Sequence, residues 1–177
     1  RRQRQMCIRD SPKSGAAYLQ QLQDAVAPYG AKIATVVGRF YAMDRDKRWD
    51  RVQVAWNSIV LGQGEICTCT PAEFAEKSYA DGVTDEFLKP GIFCEANTLR
   101  VRDEDVVFFF NFRADRAREL SRAFIYDDFD GFERGVHPHV HYITMSEYEA
   151  CYPTPVVFEQ EQLTNILGEV IAAAGLK

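Results

Sequence analysis

Trp49, Val52, Trp56, Ile59 and Val60 recur at three- and four-residue intervals, and the run stops at Gly62 and Gly64. That spacing predicts a helix with one apolar stripe. A second helix is expected after Ser14, with Tyr18, Leu19, Leu22, Ala25 and Val26 on one face and a stop near Pro28 and Gly30. A third starts at Pro71, turns Ala75 and Tyr79 inward with Phe74 beside them, and breaks at Asp81-Gly82. Residues 32–37 form a short β-branched run, a strand signal. Pro90-Gly91 leads into Ile92-Phe93-Cys94, which reads as an edge strand. The run VVFFFNF, 106–112, is apolar enough to predict a strand buried on both faces. A helix over 115–124, strands over 140–145 and 156–158, and an amphipathic helix over 159–174 complete the pattern. Strands separated by helices predict one α/β domain over 1–177, a three-layer α/β/α sandwich with a largely parallel sheet.

Two of these strands run into arginines. The first leads to GRFYAMDRDKRWDRV, which packs five basic, three acidic and three aromatic residues into fifteen positions. The second leads to Arg113, Asp115 and Arg116. Open α/β sheets bind ligands beyond the carboxyl ends of their strands, so Arg39, Arg45, Arg113 and Arg116 stand where such a fold places a site. If Arg113 and Arg116 occupy a helix's first turn, they share a face and sit among backbone N–H groups that favour an anion. Guanidinium forks pair with carboxylate and phosphate oxygens and stay charged at any working pH. Asp44, Asp46 and Asp115 could hold the forks or hydrogen-bond a substrate hydroxyl. The alternative is a set of surface ion pairs worth ~0–1 kcal/mol each.

Composition narrows the ligand class. The 177 residues carry a formal charge of −5, which argues against a broad nucleic-acid or membrane footprint and confines any anion site to a local basic pocket. No apolar run reaches the ~18–20 residues that span a bilayer, and RRQRQ is not followed by the apolar stretch of a secretory signal. Five irregularly spaced cysteines point to reduced thiols and a cytoplasmic location.

The block GRFYAMDRDKRWDRV and the block FFFNFRADRARELSRAF closely resemble signature segments of cofactor-independent phosphoglycerate mutase, and DDFDGF, MSEY and LTNILGEVIAAAGLK fit the same family. The resemblance implies an enzyme of two parts. A phosphatase-like domain would hold two Mn2+ ions and a serine that becomes phosphorylated. An inserted domain would hold glycerate while phosphate moves between the 3- and 2-hydroxyls, and this chain resembles that inserted domain alone. By the same resemblance Arg39, Arg45, Arg113 and Arg116 hold substrate. Arg9-Asp10, with Pro12, matches the latter part of a further family block, although Cys7-Ile8 stands where Asp-Gly is usual. The implied ligands are 3-phosphoglycerate and 2-phosphoglycerate, and the implied partner is the phosphatase-like domain of the same enzyme. A monomer is expected, with no nucleic acid, no membrane, no cofactor bound by this chain and no catalytic residue in it. A stand-alone binding protein for a small phosphorylated acid is the competing reading.

Other signals are set aside at this level. His137, His139 and His141 alternate, as three zinc ligands on one strand face would, but exposed polar residues at a strand end account for them, nothing in the family resemblance supports a metal there, and none is expected. Cys67-Thr-Cys69 lacks a second pair at zinc-site spacing. A calcium loop aligned on Gly131 would begin at Tyr126 and end at His137, which rules it out. The aromatic residues around Trp49, Trp56 and Phe108 read as core.

Overall fold

A computed structural model describes residues 11–93, 100–159 and 166–175. The helices are α1 (Gly15–Val26), α2 (Arg39–Ala42), α3 (Trp49–Val60), α4 (Pro71–Ala80), α5 (Arg118–Ile125) and α6 (Leu167–Ala173). The strands are β1 (Thr35–Val36), β2 (Glu65–Ile66), β3 (Gly91–Ile92), β4 (Val106–Phe109), β5 (His141–Ser146) and β6 (Val156–Phe158). The fold is α/β. No helix among the described residues is long and apolar enough to cross a membrane.

The strands form two small sheets where one largely parallel sheet was expected. The first runs β1-β3-β2, with β1 antiparallel and β2 parallel to β3. Its strands are two residues long, and β3 is central where the sequence suggested an edge. The second runs β4-β5-β6 and is parallel throughout. Parallel neighbours need a crossover connection, and α5 lies in the one between β4 and β5.

Each sheet has its own packed cluster. Val52, Trp56 and Val60 of α3 meet Leu120, Ala123 and Phe124 of α5 and Tyr142 of β5. Ala16, Phe74, Ala75 and Leu88 fill the smaller cluster between α1 and α4. The start of α4 is fixed by a capping box. Thr70 Oγ1 accepts from Glu73 N at 3.2 Å, and the Glu73 carboxylate accepts from Thr70 N at 2.8 Å. Asp85 caps α1 from across the chain, accepting from Ser14 N at 2.9 Å and Gly15 N at 3.0 Å.

Two apolar faces differ from expectation. α1 turns Ala16, Leu19, Gln23 and Val26 inward and leaves Tyr18 and Leu22 half exposed. The VVFFFNF strand is not buried on both sides. Val107 and Phe109 join the core, whereas Val106 and Phe108 face outward, followed by exposed Phe110 and Phe112 beyond the strand's end. The strand lies at a sheet edge, and strict alternation decides which residues are covered.

Candidate functional site

The first arginine block leaves β1 through Gly38. A Cβ there would lie 2.4 Å from the Glu86 carbonyl oxygen and 2.7 Å from Leu88 N, so only glycine lets the two backbones meet, and Gly38 N donates to Leu88 O at 2.8 Å. Arg39 then opens α2 and pairs with Glu86 at 2.9 Å. The loop that follows α2 is organised by Asp44, which is 4% exposed. Its carboxylate accepts from Asp46 N at 2.8 Å, Arg48 N at 3.0 Å and Arg48 Nη1 at 2.8 Å. Burial would raise the Asp44 carboxyl, but these backbone and guanidinium bonds hold it below its ordinary range.

The second block is aimed from below by MSEY. Tyr148, fully buried, donates to the Phe109 and Asn111 carbonyls, and Ser146 Oγ donates to Phe112 O at 2.9 Å. Asn111 Nδ2 in turn donates to Arg113 O at 2.9 Å. Burial pushes the Tyr148 hydroxyl up to about 12, which keeps it a donor at working pH. The strand exit that carries Arg113 is thus held by four hydrogen bonds from side chains.

The two blocks meet. Arg113 Nε lies 2.8 Å from Asp115 Oδ1, and Arg45 Nη1 lies 3.3 Å from Oδ2 of the same carboxylate. Arg116 Nη1 donates to Met43 O at 2.8 Å, and Lys47 N donates to Glu119 Oε1 at 2.8 Å. Burial would raise Asp115, yet Arg113 and then Arg45 hold it low. Arg45 and Arg113 keep about half their side-chain surface exposed, so their remaining donors face solvent around one carboxylate. Arg39 is engaged separately with Glu86. Arg9 and Asp10 lie outside the described residues.

Two local expectations are corrected, and one pattern set aside from the sequence is absent. The helix begins at Arg118, not Asp115, because Ala114 O accepts from both Ala117 N and Arg118 N in a lead-in turn. Arg113 and Arg116 therefore sit before the helix and do not share its first turn; Asp115, not helical spacing, aims Arg113. Arg51, which the sequence alone reads as lying on the outer face of its helix, has its guanidinium carbon 3.8 Å from the Phe40 ring centre and its Nη1 3.8 Å from Asp44 Oδ1. The three histidines do not share a strand face, since β5 begins only at His141, which approaches Glu104.

Sequence reasoning missed Glu119. It is 6% exposed, and its Oε2 has no hydrogen-bond partner. Burial, with the neighbouring Asp44 and Asp46 carboxylates, pushes it above its ordinary value against the Lys47 N–H bond. Two nearby carboxylates driven in opposite directions mark a candidate site. The signal was present: Glu119 stands four before buried Ala123, on the inward strip of α5. By anchoring Lys47, which adopts a left-handed φ of 59°, Glu119 holds the arginine loop in a conformation that costs ~1–2 kcal/mol for an L residue.

Glu119→Gln keeps the acceptor for Lys47 N and removes the buried charge. It is expected to raise the melting temperature at pH 7. Because the folded carboxyl sits above its ordinary 4.5, the ionised form weakens the fold only at higher pH. The gain should shrink as pH falls through the folded value and vanish below about 4.5. A gain that persists at pH 4 in thermal melts refutes this account.

Comparison with known proteins then bears on this geometry. The family described as BPG-independent PGAM N-terminus matches residues 9–150, which include both arginine blocks and MSEY. The chain belongs to that family. A 2,3-bisphosphoglycerate-independent phosphoglycerate mutase of Akkermansia muciniphila is 67% identical over 165 residues, covering 93% of this chain and 32% of the relative. One from Moorella thermoacetica is 45% identical over 170 residues, with 94% and 33% covered. A crystal structure of Leishmania mexicana phosphoglycerate mutase at low cobalt concentration superposes with a TM-score of 0.79 at 30% identity, covering 93% of this chain and 32% of that one. The chain spans about a third of the length of these curated relatives. In this member of the BPG-independent phosphoglycerate mutase family, Ser146 and Tyr148 of MSEY fix the carbonyls of Phe109, Asn111 and Phe112, just before Arg113.

Proposed function

We propose that this chain is the part of a BPG-independent phosphoglycerate mutase that holds the glycerate skeleton while 3-phosphoglycerate and 2-phosphoglycerate interconvert. The observation that carries this reading is the bracket Arg45–Asp115–Arg113, beside which Arg116 is tied to the Met43 carbonyl. Asp115 fixes one side of two guanidinium groups and leaves their other donors for an anion. A carboxylate or phosphate placed between them accepts charge-assisted bonds from both. Arg39, Arg9 and Asp10 complete the proposed substrate set.

The phosphoryl chemistry belongs to the remainder of the enzyme, where the resemblance puts the serine and two Mn2+ ions. The residues of this chain bind and orient. Holding a reactant in place can contribute several kcal/mol, with a ceiling of ~7–11 in ideal intramolecular cases. Retaining glycerate between two phosphoryl steps also lets it reorient without escaping.

The test is a titration of the chain with 3-phosphoglycerate followed by amide NMR shifts, alongside a mutase assay of the same preparation. Binding is expected at roughly millimolar Kd, about −4 kcal/mol, because contacts made in open solvent are weakened by dielectric and salt. Shifts should centre on residues 43–48 and 111–119, sulfate should compete, and no turnover should appear. Shifts centred elsewhere, or conversion by the chain alone, would overturn the proposal.

A further inference from the structure

At the other end of the β4-β5-β6 sheet, three metal-ligating side chains come together. Asp127, from the loop after α5, meets His137 and His139, from the segment before β5, with one ligand atom of each within 4.8 Å of the others. The arginines follow the carboxyl end of β4, whereas this cluster precedes the amino end of β5, so it is not part of the substrate site. The three residues line a cleft of about 350 Å³ together with Tyr142 and Pro155.

The hydrogen bonding fixes how His137 is presented. Its Nε2 lies 3.0 Å from the Phe124 carbonyl. A carbonyl only accepts, so Nε2 carries the hydrogen. The other nitrogen, Nδ1, then faces Asp127 Oδ1 at 3.4 Å. A ring lone pair and a carboxylate repel each other unless a positive centre lies between them. His139 Nδ1 lies 3.9 Å from the same oxygen. A proton would serve one of these pairs, whereas a metal ion serves all three donors at once. Donation of the far ring N–H to a backbone carbonyl is also how ligating histidines are oriented.

The backbone is held for this purpose at both ends. Asp103 Oδ1 accepts from His139 N at 2.8 Å. Arg134 donates from Nη2 to Asp127 O at 2.8 Å and from Nη1 to Tyr126 O at 2.7 Å. Bonds of ~2.0–2.2 Å in a tetrahedral site place donors about 3.4 Å apart, so small side-chain rotations of Asp127 and His139, both exposed, complete the geometry. Two imidazoles with one carboxylate suit zinc and its neighbours better than magnesium or calcium.

We propose that Asp127, His137 and His139 bind one divalent transition metal of the zinc class, clasping the loop after α5 to the lead-in of β5 and leaving a fourth position open to the cleft. The sequence pattern alone does not reveal this, because the third ligand is an aspartate ten residues upstream and not His141.

The test treats the chain with chelator and titrates it with Co2+ and then Zn2+. One Co2+ per chain should bind with a visible d–d band lacking an intense sulfur-to-metal transition, and Zn2+ should displace it and raise the melting temperature. His139→Ala and Asp127→Asn, at exposed positions that folding tolerates, should each weaken binding by at least the ~10–100-fold seen for loss of a supporting partner. His141→Ala should bind like the parent. Absence of binding, equal loss from His141→Ala, or a strong sulfur band placing the ion on exposed Cys69 or Cys151 would overturn the assignment.

Discussion

Arg113→Ala is expected to abolish measurable binding of 3-phosphoglycerate, while Lys77→Ala leaves it within about twofold. Arg113 makes one of the two guanidinium contacts to Asp115, at 2.8 Å, and MSEY fixes the strand end that carries it. A charge-assisted hydrogen bond contributes ~1.5–3 kcal/mol, a roughly ten- to hundredfold change, which moves a millimolar ligand out of range. Arg113→Lys should fail nearly as badly, since an ammonium cannot reproduce a planar fork that serves Asp115 and an oxyanion together. Lys77 is the proper control because its side chain is 72% exposed and, among the described residues, pairs with Glu65 alone, at 3.8 Å. Arg51 is not, since it contacts Phe40 and Asp44. Calorimetry or NMR titration of the three variants decides: equal losses from Arg113 and Lys77 would reduce the effect to general electrostatics.

Periodicity located most elements, because a helix's stripe and a buried strand's apolar run are local properties of the chain. It found α3, α4 and the β4–α5–β5 order, and arginine spacing with strand ends found the residues that meet at Asp115. What it missed depends on contacts distant in sequence. The two-residue strands β1, β2 and β3 exist only through one another, so no run of residues announces them. VVFFFNF reads as doubly buried, but its place at a sheet edge leaves alternate side chains outside. The inward strip of α5 includes Glu119, but what the side chain does there shows only when Lys47, 72 residues earlier, is seen to donate to it. Asp127 shares no period with His137 and His139. In each case the deciding partner lies beyond the window that a local pattern covers.

Asp44→Ala is expected to lower stability by about 3 kcal/mol and the melting temperature by roughly 6–12 °C, a large effect for one loop residue. Two backbone N–H groups, of Asp46 and Arg48, donate to one oxygen of a carboxylate that is 4% exposed. Bonds to a charged acceptor are worth ~1.5–3 kcal/mol each, and water entering the opened loop returns part of that. Asp44→Asn, which keeps an acceptor oxygen without the charge, should lose about half as much on the same scale. The pH dependence separates this carboxylate from Glu119. Asp44 is held below its ordinary 3.8, so its contribution is complete above that value and is lost as pH falls through the lower folded value. The gap between parent and Asp44→Asn should therefore stay level from pH 7 to about 5 and close only in strong acid, whereas the Glu119→Gln gain should already have faded by pH 4.5. Thermal melts of both variants across that range test the pair together. If the Asp44→Asn gap closes near pH 6, the carboxylate is not held low by the loop, and Asp44 is not what organises the segment that carries Arg45.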